Sequence, residues 1–234
     1  MTPSPPAPLP LPVAVLVSGS GTNLQALFDA LRDARAARVT RVISSRPDAG
    51  ALERARRAGA LTTVLADPAS ADEVLTALGD ARLVVLAGYV KRIPPTVVAR
   101  FRWRLINIHP ALLPAFGGAG MYGRRVHAAV IASGAAVSGA TVHYVDDEYD
   151  HGPIIAQWPV PVRPDDTPDS LAARVLEVEH RLLPLVVIGL ARLGLPEKPV
   201  RLDADGSGFR IADEPAVTLR KATEGRNDGK GMHD

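Results

Sequence analysis

No cysteine occurs anywhere in the 234 residues. That excludes a disulfide framework and any thiolate metal site, and it suits a reducing compartment, which points to the cytoplasm. An excess of charge of one sign is also missing. With 27 basic against 25 acidic side chains the formal net charge is +2, too little to argue for a nucleic-acid partner. No zinc-finger, RNA-recognition or basic-zipper pattern accompanies it. The arginines of ERARRAGA, Arg54, Arg56 and Arg57, are expected on the solvated face of a helix. Long apolar runs are absent as well, so no segment is expected to cross a membrane. The opening MTPSPPAPLPLP lacks a basic segment ahead of an apolar core, and it reads as neither a signal peptide nor an anchor. Residues 1–12 are expected to form a flexible proline-rich arm, 13–215 a single domain and 216–234 a disordered tail, since TEGRNDGKGMHD is polar and glycine-rich.

What is present is alternation. VAVLV, RVTRVIS, LTTVL and LVVLAG are short β-branched runs; NLQALFDALRDA, AGALERARRAG and the stretch Ala69 to Leu78 are amphipathic and rich in alanine and leucine. Such a succession predicts crossover units on a parallel sheet with helices on both faces, and ligands outside the carboxyl ends of its strands. Farther on, WRLINIH, VSGATVHYV and PIIAQWPVPV read as strands with little helix between the last two. The expected class is therefore α/β, Rossmann-like, mostly parallel and mixed in its C-terminal half. A long helix is predicted from Pro168 to Leu193, with Thr167 as N-cap and Pro168 in the first turn, where its missing N–H costs nothing. PVRLDADGSGFRIADE predicts a hairpin turning at Asp205-Gly206-Ser207-Gly208.

Three places carry chemistry. Ser18 to Asn23 lie between a buried strand and a helix, where glycine lets the backbone approach a bound group and the helix start offers unpaired N–H groups. A phosphate is one reading and a tight turn without a ligand is the other. A triphosphate loop is excluded because no GK[ST] ending follows, and Leu24 breaks the dinucleotide pattern. Asn107 and His109, two apart, share one face at the carboxyl end of a strand, and Pro110 and Pro114 restrict the loop beyond. Asp146, Asp147, Glu148 and Asp150 form either a solvated turn or a source of a carboxylate for an imidazole. In the second case the carboxylate would stabilise the protonated ring and raise its pKa. Asp150 would be held by a tight turn at His151-Gly152. His109, His143, His151 and Asp150 have the chemistry of metal ligands, but no HExxH or comparable spacing is present and no metal is expected. His127 and His180 are expected on helices in structural roles.

Taken in order, SGSGTNLQ, AGYVKRI with INIHPALLPAF, and SGATVHYVDDEYDHGPIIAQ resemble the phosphoribosylglycinamide formyltransferases, folate-dependent enzymes of purine synthesis. The resemblance implies a formyltransferase fold and transfer of a formyl group from 10-formyltetrahydrofolate to the amine of glycinamide ribonucleotide, with no metal. It further implies that Gly21, Thr22, Asn23 and Glu179 hold the ribonucleotide, that Val90, Lys91, Arg92, Ile93 and Asn107 line the folate site, and that Asn107, His109 and Asp150 are catalytic. Partners would be these small molecules, with no nucleic acid or membrane; a homodimer is compatible with the resemblance. Many members have arginine where Lys91 stands, and lysine cannot reproduce a planar fork, so either Lys91 or Arg92 would meet folate. The glycine-rich stretch Gly117 to Arg125 departs from the common pattern, and no contact is carried over through it. Formyltransferases acting on a sugar-nucleotide amine and formyltetrahydrofolate deformylases share the Asn-x-His…Asp set and stand as alternatives. A catalytically silent folate-binding protein is the alternative from another class.

Overall fold

In the computed structural model, residues 9–204 and 209–211 are described. Strand and helix alternate as β1 (Leu11–Val17), α1 (Thr22–Ala34), β2 (Ala37–Ser44), α2 (Gly50–Arg57), β3 (Leu61–Val64), α3 (Ala71–Leu78), β4 (Leu83–Leu86), α4 (Pro95–Arg100) and β5 (Leu105–His109). Then come α5 (Arg124–Ala132), β6 (Val137–Tyr144), β7 (Ile154–Pro161), α6 (Pro168–Arg192), β8 (Leu202–Ala204) and β9 (Phe209–Ile211). The main sheet runs β3-β2-β1-β4-β5-β6-β7. Its strands are parallel through β5 and antiparallel from β5 to β7, the mixed sheet that the sequence predicts.

Period-two alternation sorts β1 between two cores. Val13, Val15 and Val17 pack with Leu24, Leu27 and Leu31 of α1 and with the buried face of α6, while Ala14 and Leu16 pack with Val74 and Leu78 of α3 and Val97 of α4. A sheet covered on both faces needs strands apolar on both, and LVVL of β4 is buried along its whole length.

Several boundaries differ from expectation for local reasons. β1 opens at Leu11, which pairs with Ala37 and buries its side chain, so the ordered domain starts before residue 13. α3 starts later than Ala69 because Ser70 caps it, accepting the Glu73 N–H at 3.3 Å. α4 was not anticipated; it opens with Pro95 in its first turn, where no N–H is needed. Thr167 does cap α6, in a reciprocal box with Ser170. β8 and β9 pair antiparallel. The turn 205–208, arm residues 1–8 and the tail 216–234 lie outside the described residues. β7 is an edge strand carrying Pro159 and Pro161. Among the described residues no helix is long and apolar enough to cross a membrane.

Candidate active site

The strand order reverses between β1 and β4, and a cavity of about 760 Å³ opens at the carboxyl ends of these strands and of β5. Crevices at such a switch point are where ligands bind in open α/β sheets. On its β1 side lies the turn Ser18 to Asn23. Gly21 there has φ 76°, and a Cβ on it would lie 2.6 Å from Ala51 Cβ. The turn is braced by α2: Ala51 N–H donates to Gly19 O at 3.2 Å and Arg54 Nε donates to Ser20 O at 2.9 Å. Arg54 is thus tied to the turn, contrary to the expectation of a solvated face, whereas Arg56 and Arg57 pair with exposed Glu53 as expected. Gly21→Ala should therefore cost roughly 1–2 kcal/mol for the left-handed backbone alone and push α2 off the turn. Denaturant unfolding measures the first effect, and a raised KM for a phosphorylated substrate the second.

β5 brings Asn107 and His109 to the cavity on one face. Directly across the antiparallel ladder from Asn107 stands His143 of β6. Asn107 Nδ2 donates to His143 Nε2 at 3.1 Å, while His143 Nδ1–H donates to Tyr144 O at 2.8 Å, which fixes its tautomer. Between the two histidines lies the carboxylate of Asp150. Its Oδ1 is 3.4 Å from Asn107 Nδ2 and 3.6 Å from His143 Nε2; its Oδ2 is 3.4 Å from His109 Nδ1 and accepts the Gly118 N–H at 2.9 Å. The loop that delivers Asp150 doubles back tightly: a Cβ on Gly152 would sit 2.0 Å from Tyr144 O. His109 Nε2–H donates to Phe116 O at 2.9 Å. Among the described residues no group of three or more His, Cys, Asp or Glu could hold a metal ion.

The charge state of this cluster differs from expectation. Burial pushes His109 below the ordinary imidazole pKa, and Asp150 and the Phe116 carbonyl, which pull it upward, do not make up the difference. The ring is 3% exposed, and stripping water from a cation outweighs one carboxylate at 3.4 Å. For Asp150, burial acts to raise the pKa, but the nearby His143 ring, the charge on His109 once that ring is protonated and the Gly118 N–H together hold it below the usual range. An ionised Asp150 beside a neutral His109 is the resting arrangement at neutral pH. An NMR titration should find His109 changing protonation below pH 6.5 in the protein alone, and lower still in Asp150→Asn, which removes an upward pull.

On the far side of the turn, Asn23 Nδ2 donates to Glu179 Oε2 at 2.6 Å. Glu179 is 8% exposed although it belongs to helix α6, and burial pushes its pKa up to about 7, with Asn23 pulling the other way. Asn23 Oδ1 is buried without a partner. Thr22, Asn23 and Glu179 line the cavity; so do Val90, Lys91, Arg92 and Ile93 on the β4 side. Arg92 donates to Asp147 O at 2.8 Å, fastening this segment to the acidic loop, while Lys91 makes no ion pair among the described residues. Gly118 to Gly123 roof the opening, while Arg124 pairs with Asp169 at 3.0 Å on the exposed surface.

Sequence reasoning grouped His143 with His109 and Asp150 only as possible metal ligands and missed its place beside Asn107; it gave His127 a structural role, whereas His127 lines the cavity and its buried Nδ1 has no partner among the described residues. Glu148 and Asp146 line the cavity as well. The signal for His143 was its place opposite Asn107, which requires the ladder register.

Comparison with known proteins gives the family. A family profile described as formyl transferase matches residues 11–187. A protein of Arabidopsis thaliana named chloroplastic phosphoribosylglycinamide formyltransferase is 43% identical over 179 residues, covering 71% of this chain and 61% of its own length. The phosphoribosylglycinamide formyltransferase of Escherichia coli is 38% identical over 195 residues, covering 79% of this chain and 90% of that protein. A solved structure of the enzyme of that name from Anaplasma phagocytophilum superposes with a TM-score of 0.74 at 35% identity, covering 88% of this chain and 96% of the other.

Proposed function

The chain belongs to the formyl transferase family, and on that premise we propose that it transfers a formyl group from 10-formyltetrahydrofolate to the primary amine of glycinamide ribonucleotide, a step of purine synthesis. The observation that carries the reading is that Asn107, His109 and Asp150 meet in one cavity whose walls are the Ser20–Asn23 turn and the Val90–Ile93 segment. A phosphorylated amine on one side and a flat folate on the other would bring their reacting atoms together at that cluster.

The uncharged amine attacks the formyl carbon; a C–N bond forms and the carbonyl electron pair moves onto oxygen. As the C–N10 bond breaks, the proton of the amine passes to N10. Asn107 Nδ2 and a ring N–H of His109 are the donors for the developing oxyanion. Both are already engaged, Asn107 with His143 and Asp150 and His109 with Phe116 O. A neutral formyl oxygen competes poorly for them, whereas a charged one competes well. Stabilisation is thereby concentrated in the transition state. The oxyanion's charge also offsets the burial that keeps His109 neutral, so the ring can take up the amine proton through Asp150 while that charge persists and give it up towards N10 as the charge is lost. Asp150 holds the donors in register and, as an ionised carboxylate, accepts the amine proton for relay.

The left-handed turn at Gly21 with the N-terminal amides of α1 would receive the phosphate. Asn23 Oδ1 and Glu179 would accept from ribose hydroxyls, which gives a partner to an otherwise orphaned acceptor. With Arg92 tied to Asp147 O, Lys91 is the cation left to meet the folate's carboxylate. A cysteine-free chain fits the cytoplasm as the place of action.

The test is an assay with 10-formyltetrahydrofolate and three acceptors in parallel: glycinamide ribonucleotide, a sugar-nucleotide amine and water. Transfer to the ribonucleotide that exceeds both others and persists in chelator supports the reading. Hydrolysis alone would make the protein a deformylase, and folate binding without turnover would make it a binding protein.

A further inference from the structure

β1 and β4 run side by side as far as the pair Leu16↔Leu86 and the Ala87 N–H bond to Leu16 O. Beyond it the two backbones part, one to form the turn that follows Val17 and the other to form the Val90–Ile93 wall. Ser18 stands at the fork, buried. Its Oγ accepts the Val90 N–H at 3.2 Å and lies 2.7 Å from Ser45 Oγ. Ser45 follows β2, and its own N–H donates to Val17 O at 3.3 Å. A hydroxyl offers one proton and two lone pairs, so both contacts of Ser18 are made at once, in whichever direction the Ser18–Ser45 proton points. One buried oxygen thus fastens the β4 wall to the β1 turn and braces it against β2.

We infer that Ser18 is a positioning residue that couples the two substrate subsites, so that filling one prepares the other. The inference rests on the proposed function, because it takes the turn to hold the ribonucleotide phosphate and the wall to hold the pterin. A phosphate gripped at Gly21 to Asn23 restricts the loop that begins at Ser18. Through Ser18 Oγ the restriction reaches the Val90 N–H and the wall behind it. The folate then meets a wall already ordered, and the cost of ordering is not charged to it a second time. By linkage the folate tightens ribonucleotide binding by the same factor. Replacing the hydroxyl with hydrogen, as Ser18→Ala does, cuts this connection without changing any side chain that lines the cavity. Ser45, half-buried, braces the link but does not transmit it.

Calorimetric titration of glycinamide ribonucleotide, with and without a folate analogue that carries no formyl group, measures the coupling. In the unmodified protein each ligand should tighten the other by about five-fold or more. In Ser18→Ala each ligand should still bind alone while the factor falls towards one, and in Ser45→Ala the factor should persist. Hydrogen exchange on the unmodified protein gives a second reading that needs no variant: the Val90 amide should become more protected when ribonucleotide alone is added. Undiminished coupling in Ser18→Ala, no coupling in the unmodified protein, or an unchanged Val90 amide would each overturn the inference. Failure of the unmodified protein to bind either ligand alone would instead overturn the functional reading.

Discussion

Asp150→Asn should lower kcat by about 100- to 1,000-fold, the usual effect of losing one preorganised electrostatic contact at an oxyanion site, while the protein stays folded. Asparagine is the right replacement because residue 150 has φ 57°. Asparagine shares with aspartate an unusual tolerance of that left-handed region, whereas alanine would add strain to the loss of charge. The amide oxygen can still accept the Gly118 N–H that now bonds Asp150 at 2.9 Å. What disappears is the negative charge near His109 and His143. His109, already pushed down by burial, would then resist protonation more strongly when the oxyanion forms. KM should move far less than kcat, since in the proposed mechanism Asp150 acts on charge that appears after binding. The stability profile supplies an internal control. Asp150 has a folded pKa below its unfolded value, so its contribution is present at neutral pH and is lost as pH falls through the carboxylate range; the variant should lack that part of the acid sensitivity. Turnover within ten-fold of the original in a folded Asp150→Asn protein would remove the carboxylate from the mechanism.

Glu179→Gln should stabilise the protein at pH 8 and weaken its hold on the ribonucleotide. Burial pushes the carboxyl up to about 7 in the folded chain, against an ordinary value of 4.5. Folding therefore binds a proton between those values, and stability falls as pH rises through that window, levelling off above about 7. The gap corresponds to about 3 kcal/mol, which glutamine, uncharged at every pH, does not lose. Binding has the opposite sign. A ribose hydroxyl donates best to the ionised carboxylate, so affinity should climb with pH until about 7 and then flatten. In Glu179→Gln that rise should vanish and affinity should drop by about ten-fold or more, since hydrogen bonds to charged groups are worth about 1.5–3 kcal/mol. The substrate's own phosphate ionises near pH 6, so the difference between the two proteins, rather than either curve, isolates Glu179. Parallel curves would show that Glu179 does not touch the sugar.

Strand periodicity made Asn107 and His109 legible as a pair on one face, and glycine chemistry made the turn at Gly21 legible as a place of close approach. Thr167 could be read as a cap because capping is local. Harder to read was anything that depends on distant packing. His143 meets Asn107 only through the register of β6 on β5, and no local pattern sets that register. Glu179 looks like any exposed helical acid until α6 lies against α1 and Asn23 reaches it. The sign of the His109 shift turned on burial: an adjacent carboxylate suggested an elevated pKa, and the enclosing layers reversed it. Arg54 was misjudged for a related reason, since a helical arginine is free only if no neighbouring loop offers a carbonyl, and here Ser20 does.

The prolines of β7 have a consequence for assembly. Residues 159 and 161 point their backbone nitrogens the same way, and neither can donate, so the outer rim of this strand presents gaps where a docking strand would seek partners. These gaps disfavour prolongation of the sheet past that end of the rim. Strand addition to this sheet would have to use its opposite edge, β3, and the hairpin that carries Asp150 stays at the margin of the sheet, shielded from fibre-like growth.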